Sequence, residues 1–376
     1  MLRAARSVAA WLRRFAAGHV TRLRFATGYA QLALLSTGHE MDERVNEAHE
    51  ELLALLPGLN SRGQLLEASL DFVVQVVACI PTSPFWSISL YSLRRLFLDF
   101  SDVGAFMQVL PPLRLLAGLQ DLELRTTVLH LPAERCFPGS LTRLLLKGSS
   151  VEGDLSFQAS ALPSLATLHL RDLWMGPSRM SFLERLPSLR RLELEKCAVP
   201  ACLSRLTQLD TLVIDRPHAS FRQQQQQQQA EGGGEAALSP LAAGLPPLTQ
   251  LTQLALHQVP NLPATLGSLA SLRRCAWVVS IFELRESGAA AAALPLQPGP
   301  WLASLRELAL PAELAGRSLG VLTGATALDF SEASFLAVAD ALRRKPALRL
   351  TTDAYISSVR RWLWPEPSAF EPWPAL

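Results

Sequence analysis

The sequence predicts an α/β solenoid, a curved horseshoe with a parallel β-sheet on its concave face and short helices or turns on its convex face. Three observations lead there. An apolar-x-x-apolar-x-apolar hexamer recurs from about residue 90 to the end of the chain. Its first six copies are separated by 26, 22, 24, 24 and 20 residues. Inside each copy apolar and polar residues alternate, the period of two expected of a strand with one buried side. A repeat of roughly 20–29 residues with this hexamer marks a stacked array, in which every unit adds one strand and one return segment. Each unit buries its apolar side only against its neighbours.

The first six hexamers are LRRLFL from Leu93, LQDLEL from Leu119, LTRLLL from Leu141, LATLHL from Leu165, LRRLEL from Leu189 and LDTLVI from Leu209. LTQLAL from Leu251, LRRCAW from Leu272, LRELAL from Leu305 and ATALDF from Ala325 continue them. On these ten units the chain resembles the leucine-rich repeat family. The resemblance implies a concave sheet that binds a partner. In that family the residue eight past the first Leu is often Asn, bonded to the turning backbone. Here the slot holds Ser101, Thr127, Ser149, Cys197 and Ser280, and elsewhere Leu173, Pro217 or Val259. Ser, Thr and Cys still satisfy part of that backbone, so the departure bears on curvature rather than on architecture.

Residues 1–90 are the least regular and are expected to form an irregular capping region with one or two degenerate repeats. A candidate strand at Val20, Leu23 and Phe25 follows the segment WLRRFAAGHV. Residues 40–56 read as a helix with an acidic outer side, ended by Pro57-Gly58. Residues 65–80 offer a second degenerate strand with Leu70 and Phe72 inward. Terminal units of a solenoid must cover the open end of the core; the truncated end of a longer array is the alternative. Residues 1–39 hold six arginines and no acidic residue, which also fits an organelle transit peptide. An amphipathic helix leading into the first strand is the preferred reading.

From 91 to 216 the array is regular. The return segments FLERLPS (182–188) and CLSRLTQ (202–208) have helical spacing and predict short helices. Residues 217–250 interrupt the period with seven glutamines (Gln223–Gln229) and a glycine-rich stretch. That insertion is expected to be disordered, since it has little apolar surface to bury. The array resumes over 251–350 with a flexible insertion at 284–300. Residues 351–376 are expected to cap it, the four prolines from Pro365 onward excluding a helix.

Composition narrows the function. The formal net charge of +2 is too balanced to imply nucleic acid or an anionic membrane. No run of about 18 apolar residues is present, which argues against a membrane-spanning helix. The five cysteines are odd in number and lack paired metal spacing, which favours a reducing compartment. His39-Glu40 and His49-Glu50 stand ten apart and cannot make a helical zinc pair. No phosphate-cradling glycine loop or nucleophile elbow occurs. Neither enzyme chemistry nor a cofactor or metal is expected.

A ligand would meet the third, fifth and seventh positions of each unit, which face outward between the leucines. In the five units from Leu93 to Leu189 these are Arg95, Phe97, Asp99; Asp121, Glu123, Arg125; Arg143, Leu145, Lys147; Thr167, His169, Arg171; and Arg191, Glu193, Glu195. Eleven of these fifteen are charged, against four of fifteen (Asp215, Arg274, Glu307, Asp329) in the next five units. Arg125, Arg143, Lys147, Arg171 and Arg191 should form a basic centre bordered by acids, with Phe97 and Leu145 as apolar anchors. Arg and aromatic enrichment is what protein-binding hot spots use. Cross-strand pairs such as Glu123 with Arg143 could instead merely neutralise one another.

The reading is therefore a monomeric, non-catalytic, cytoplasmic scaffold that binds a protein partner, with neither nucleic acid nor membrane. Within the family, the Cys- and Ser-containing repeats and the leading WLRRFAAGHVTRLRF resemble the repeat half of F-box substrate receptors in ubiquitin ligases, although no F-box helix set is visible. A cytoskeletal or axonemal component is the rival, and an organelle-imported protein the third reading.

Overall fold

In the computed structural model the alternating leucines form the buried side of parallel strands stacked in register. The structure describes residues 22–25, 67–71, 93–100 and 108–109, most of 113–217, then 240–259, 264–278, 300–311, 327–331 and 349–351. The chain divides into two compact units, Met1–Leu189 and Arg190–Leu376.

In the first unit the main strands are β1 (Arg22–Phe25), β2 (Glu67–Asp71), β3 (Arg95–Phe100), β5 (Asp121–Thr126), β7 (Arg143–Lys147) and β9 (Thr167–Arg171). They lie side by side in that order, all parallel. Register stacks Leu96, Leu122, Leu144 and Leu168 in one inward row and Leu98, Leu124, Leu146 and Leu170 in the next. All eight are buried. Burial of each contributes on the order of 1.5–3 kcal/mol, much of it offset by the entropy of ordering the chain.

The strands are joined by one recurring hydrogen-bond device. The amides of Gln120 and Asp121 both donate to the Arg94 carbonyl, and those of Thr142 and Arg143 to the Gln120 carbonyl. Ala166 and Thr167 repeat the arrangement on Thr142. Each unit's opening leucine closes the preceding turn, as in Leu119 N–H to Leu116 O at 2.9 Å.

A second, three-stranded parallel sheet is made by β4 (Gln108–Val109), β6 (Val128–His130) and β8 (Ser150–Glu152). The hexamer gives no sign of it, because these short strands lie past the leucine pattern. Gly148, between β7 and β8, permits the close approach: a Cβ there would lie 2.4 Å from the Thr126 carbonyl oxygen.

The return side bears short helices, as expected. Helix α1 (Leu155–Ala159) is capped by Asp154, whose carboxylate accepts from the Ser156 amide at 2.8 Å. A 3-10 helix, Pro177–Arg185, buries Met180, Phe182 and Leu183. The buried Gln158 donates to the Glu134 carbonyl at 2.8 Å and accepts from the Cys136 amide at 3.0 Å.

In the second unit β10 (Arg191–Glu195), β11 (Thr211–Asp215), β12 (Gln253–His257), β13 (Arg274–Val278), β14 (Glu307–Pro311), β15 (Ala327–Ser331) and β16 (Arg349–Thr351) are again consecutive and parallel. Leu192, Leu212, Leu254, Cys275 and Leu308 form one inward row; Leu194, Ile214, Leu256 and Trp277 form the other. The residue after the strand is left-handed at Lys196, Arg216 and Gln258, as it is at Asp172 in the first unit, with φ between 48° and 55°. That turns the chain off the sheet. The Lys196 and Arg216 amides then donate to Asp215 O and His257 O, at 2.8 and 3.0 Å.

The last part of the insertion expected to be disordered over 217–250 is ordered. Helix α2 (Pro240–Gly244) occupies it, and Leu241, Leu245 and Leu248 are buried at helical spacing. Gly244 sits against Leu203, 2.7 Å from where a Cβ would stand to the Leu203 side chain. The 3-10 helices Leu203–Arg205 and Ala264–Ser268 and helix α3 (Pro300–Ser304) serve the other return segments. The helix expected over 40–56, the polyglutamine run, most of 284–300 and the tail after Thr351 lie outside the described residues. Among the described residues no helix is long and apolar enough to cross a membrane. Each unit has the architecture of a leucine-rich repeat solenoid, with parallel strands joined through short helical return segments.

Candidate functional site

Because side chains alternate along a strand, three outward rows separate the leucine rows. In the first unit register places Arg95, Asp121, Arg143 and Thr167 in one row and Phe97, Glu123, Leu145 and His169 in the middle row. Asp99, Arg125, Lys147 and Arg171 make the third. The outward residues of these four strands are thus contiguous, with row-mates about 4.8 Å apart.

Ion pairs modify it. Arg125 donates through Nε to Glu123 Oε1 at 2.8 Å, and its guanidinium lies over the Phe97 ring, 4.7 Å from the centroid. Arg143 pairs with Asp121 at 3.2 Å. Register sets Arg143 opposite Asp121 rather than Glu123, so the expected Glu123–Arg143 neutralisation does not form. Arg171 Nε lies 3.6 Å from Asp172. Lys147 has no ion-pair partner among the described residues. It sits in the third row between Arg125 and Arg171, and Phe97 and Leu145 in the middle row are half-buried.

Three expectations change. His169, Glu193 and Glu195 occupy outward positions yet are buried. A middle-row side chain is shadowed by its row-mates and by the longer side chains flanking it, and Glu193 lies beneath Arg191, which donates to it through Nε. Glu195 stands in register with Asp215, itself buried. Arg191, Glu193 and Glu195 also belong to the second unit rather than to the basic group.

The outward rows of the second unit differ in kind. Its middle row runs Val213, Ala255, Ala276, Ala309, a buried cluster of small side chains. One side of it holds Arg191, Thr211, Gln253, Arg274 and Glu307; the other holds Glu195, Asp215 and His257. Arg274 Nε meets Glu307 at 3.1 Å. His257 Nδ1 is 3.7 Å from Asp215 Oδ1, while its Nε2 is buried without a partner. Burial, aided by Arg216, lowers the His257 pKa to about 4, so its imidazole is neutral. The acids and the histidine could be counted from the sequence, but their burial could not.

The cysteines offer no redox or metal chemistry among the described residues. Cys136, Cys197, Cys202 and Cys275 are buried thiols outside any disulfide, and desolvation pushes the Cys136 and Cys275 thiols up to about 12. Cys197 Sγ instead donates to the Glu195 carbonyl at 3.3 Å. Among the described residues no group of His, Cys, Asp and Glu could hold a metal ion.

No family model matches the chain. Among curated proteins it is similar to nephrocan of Mus musculus, a leucine-rich repeat protein, at 32% identity over 149 residues. That match covers 39% of this chain and spans 27% of the length of the curated relative. Among solved structures an internalin from Listeria monocytogenes aligns at TM-score 0.38 and 17% identity, over 78% of this chain and 82% of that one. A TLR13–ssRNA13 complex aligns at TM-score 0.36 and 15% identity, over 75% of this chain and 44% of that one. Scores this low carry no weight. The solenoid assignment rests on the leucine rows and strand register described above.

Proposed function

We propose that the protein is a non-catalytic scaffold that binds a protein partner on the outward face of the first unit's sheet. The carrying observation is the row Arg125–Lys147–Arg171, in register on adjacent strands and flanked by Phe97 and Leu145. Three cations at strand spacing beside two half-buried apolar groups suit a partner with acidic residues around an apolar anchor. The four described cysteines are buried thiols outside any disulfide, which supports a reducing, cytoplasmic setting, and the protein acts there as a monomer.

The test is capture of partners from a cell extract by the whole chain and by Arg143→Glu, Lys147→Glu, Arg171→Glu combined, with identification by mass spectrometry. Loss of capture by the triple variant, with an unchanged circular dichroism spectrum, supports the assignment. Retained capture removes it. The captured proteins also separate the finer readings: ubiquitin-ligase adaptor subunits mark a substrate receptor, tubulin or dynein chains a cytoskeletal role.

A further inference from the structure

The second unit carries a charged feature of its own, at the edge where its strands begin. The Arg306 amide donates to the Arg273 carbonyl at 2.8 Å, one residue ahead of the point where Arg274 of β13 pairs with Glu307 of β14. Arg273 and Arg306 therefore stand opposite one another on strands about 4.8 Å apart. Both are exposed, and Arg274 beside them is half exposed. At the other described strand starts a cation faces a neutral residue or an acid. Arg94 faces Gln120, Arg190 faces Asp210, and Arg95 faces Asp121.

Like charges set directly opposite across two strands repel, so this corner holds positive charge that calls for a counterion. Glu307 is the acid in register there, and it lies against Arg274 Nε at 3.1 Å. The Arg273 side chain has no hydrogen bond or ion pair among the described residues. A guanidinium presents five N–H donors in a planar fork that matches a carboxylate two bonds at a time.

We propose that Arg273, Arg274 and Arg306 dock an acidic segment of a partner protein, with neighbouring carboxylates seated at the Arg273 and Arg306 guanidinium groups. The partner supplies the countercharge that the adjoining strands lack. A continuous phosphate backbone or an anionic lipid surface fits less well. Glu307 lies in the same corner, Asp210 stands on the same edge two strands away, and the whole chain has a net charge of only +2. A peptide can set its acids over the arginines and neutral residues over Glu307 and Asp210.

The test exposes the full chain to the pentapeptide Glu-Glu-Bpa-Glu-Glu, where Bpa is photoreactive benzoylphenylalanine, and locates the adducts by mass spectrometry. Adducts at the starts of β13 and β14, competed by pentaglutamate and not by pentaglutamine, support the assignment. Arg273→Gln combined with Arg306→Gln should cut their yield about fivefold, with an unchanged circular dichroism spectrum. Should that pair not fold, Arg273→Gln alone carries the same test, with a loss of about threefold. Lys147→Glu, in the first unit, should leave these adducts as they are. The proposal is overturned by absence of adducts at those strand starts, by an undiminished yield in a folded Arg273 variant, or by their loss in Lys147→Glu. Equal competition by pentaglutamine, or by a thymidine oligonucleotide of matched charge, overturns it too. The basic row contributes to none of the supporting outcomes, so failure here leaves the function proposed above standing, and the reverse.

Discussion

The Arg125 guanidinium lies 4.7 Å from the centre of the Phe97 ring, one strand away. The same side chain donates to Glu123 at 2.8 Å, so ring and carboxylate together fix where its charge points. Its row neighbour Lys147 is different, with no ion pair among the described residues. The row thus combines a positioned cation with an uncommitted one, and the two should respond differently to substitution.

Lys147→Glu removes no intramolecular pair, so stability should change by less than about 0.5 kcal/mol, the usual range for a surface site. Partner binding should fall about tenfold or more, because a like charge is now set against the acidic side of the partner. Arg143→Glu breaks the pair with Asp121 at 3.2 Å and should cost about 0.2–1 kcal/mol as well, the range for exposed pairs. Thermal unfolding and surface plasmon resonance with the captured partner measure both. Unchanged affinity in Lys147→Glu would take that residue out of the interface.

Gly148 is a backbone matter. A methyl group there would sit 2.4 Å from the Thr126 carbonyl oxygen, and a backbone oxygen within β5 cannot swing aside as a flexible side chain can. Gly148→Ala should destabilise by about 3 kcal/mol, the upper end of overpacking costs. The loss would appear as a lower urea midpoint with an unchanged slope. A midpoint equal to that of the unmodified protein would mean that the chain leaving β7 can move away from the end of β5 freely.

The leucine rows were legible because period two and a repeat near 24 residues jointly determine which side chains share a face. Lys147 and Arg171 were placed correctly in one row by the same counting. What counting misses is what depends on neighbours. Glu193, Glu195 and His169 have outward positions but end up covered, since burial in an outward row is decided by the length of the side chains on adjacent strands. The ordered stretch at 240–250 was hidden behind polyglutamine and glycine, although Leu241, Leu245 and Leu248 keep a helical spacing. The sheet of β4, β6 and β8 has too few residues per strand to leave a pattern.

His257 provides a pH test. Burial is the larger cause of its fall from 6.5 to about 4, with Arg216 adding to it, and the Asp215 carboxylate at 3.7 Å is too weak a counterweight to reverse the direction. The unfolded chain takes up the proton near pH 6.5, the folded chain only near 4. Between those values the unfolded state binds more protons, so stability falls as pH falls. The contribution is complete above about pH 6.5 and lost progressively down to about pH 4. A shift of this size corresponds to roughly 3 kcal/mol. His257→Gln cannot titrate there, so its unfolding free energy should drop less between pH 7.5 and pH 4.5 than that of the unmodified protein, by roughly 2–3 kcal/mol. Carboxylates titrating in the same window act on both proteins alike, and the difference isolates the imidazole. Equal losses in the two proteins would show that His257 is protonated as readily in the fold as in the open chain.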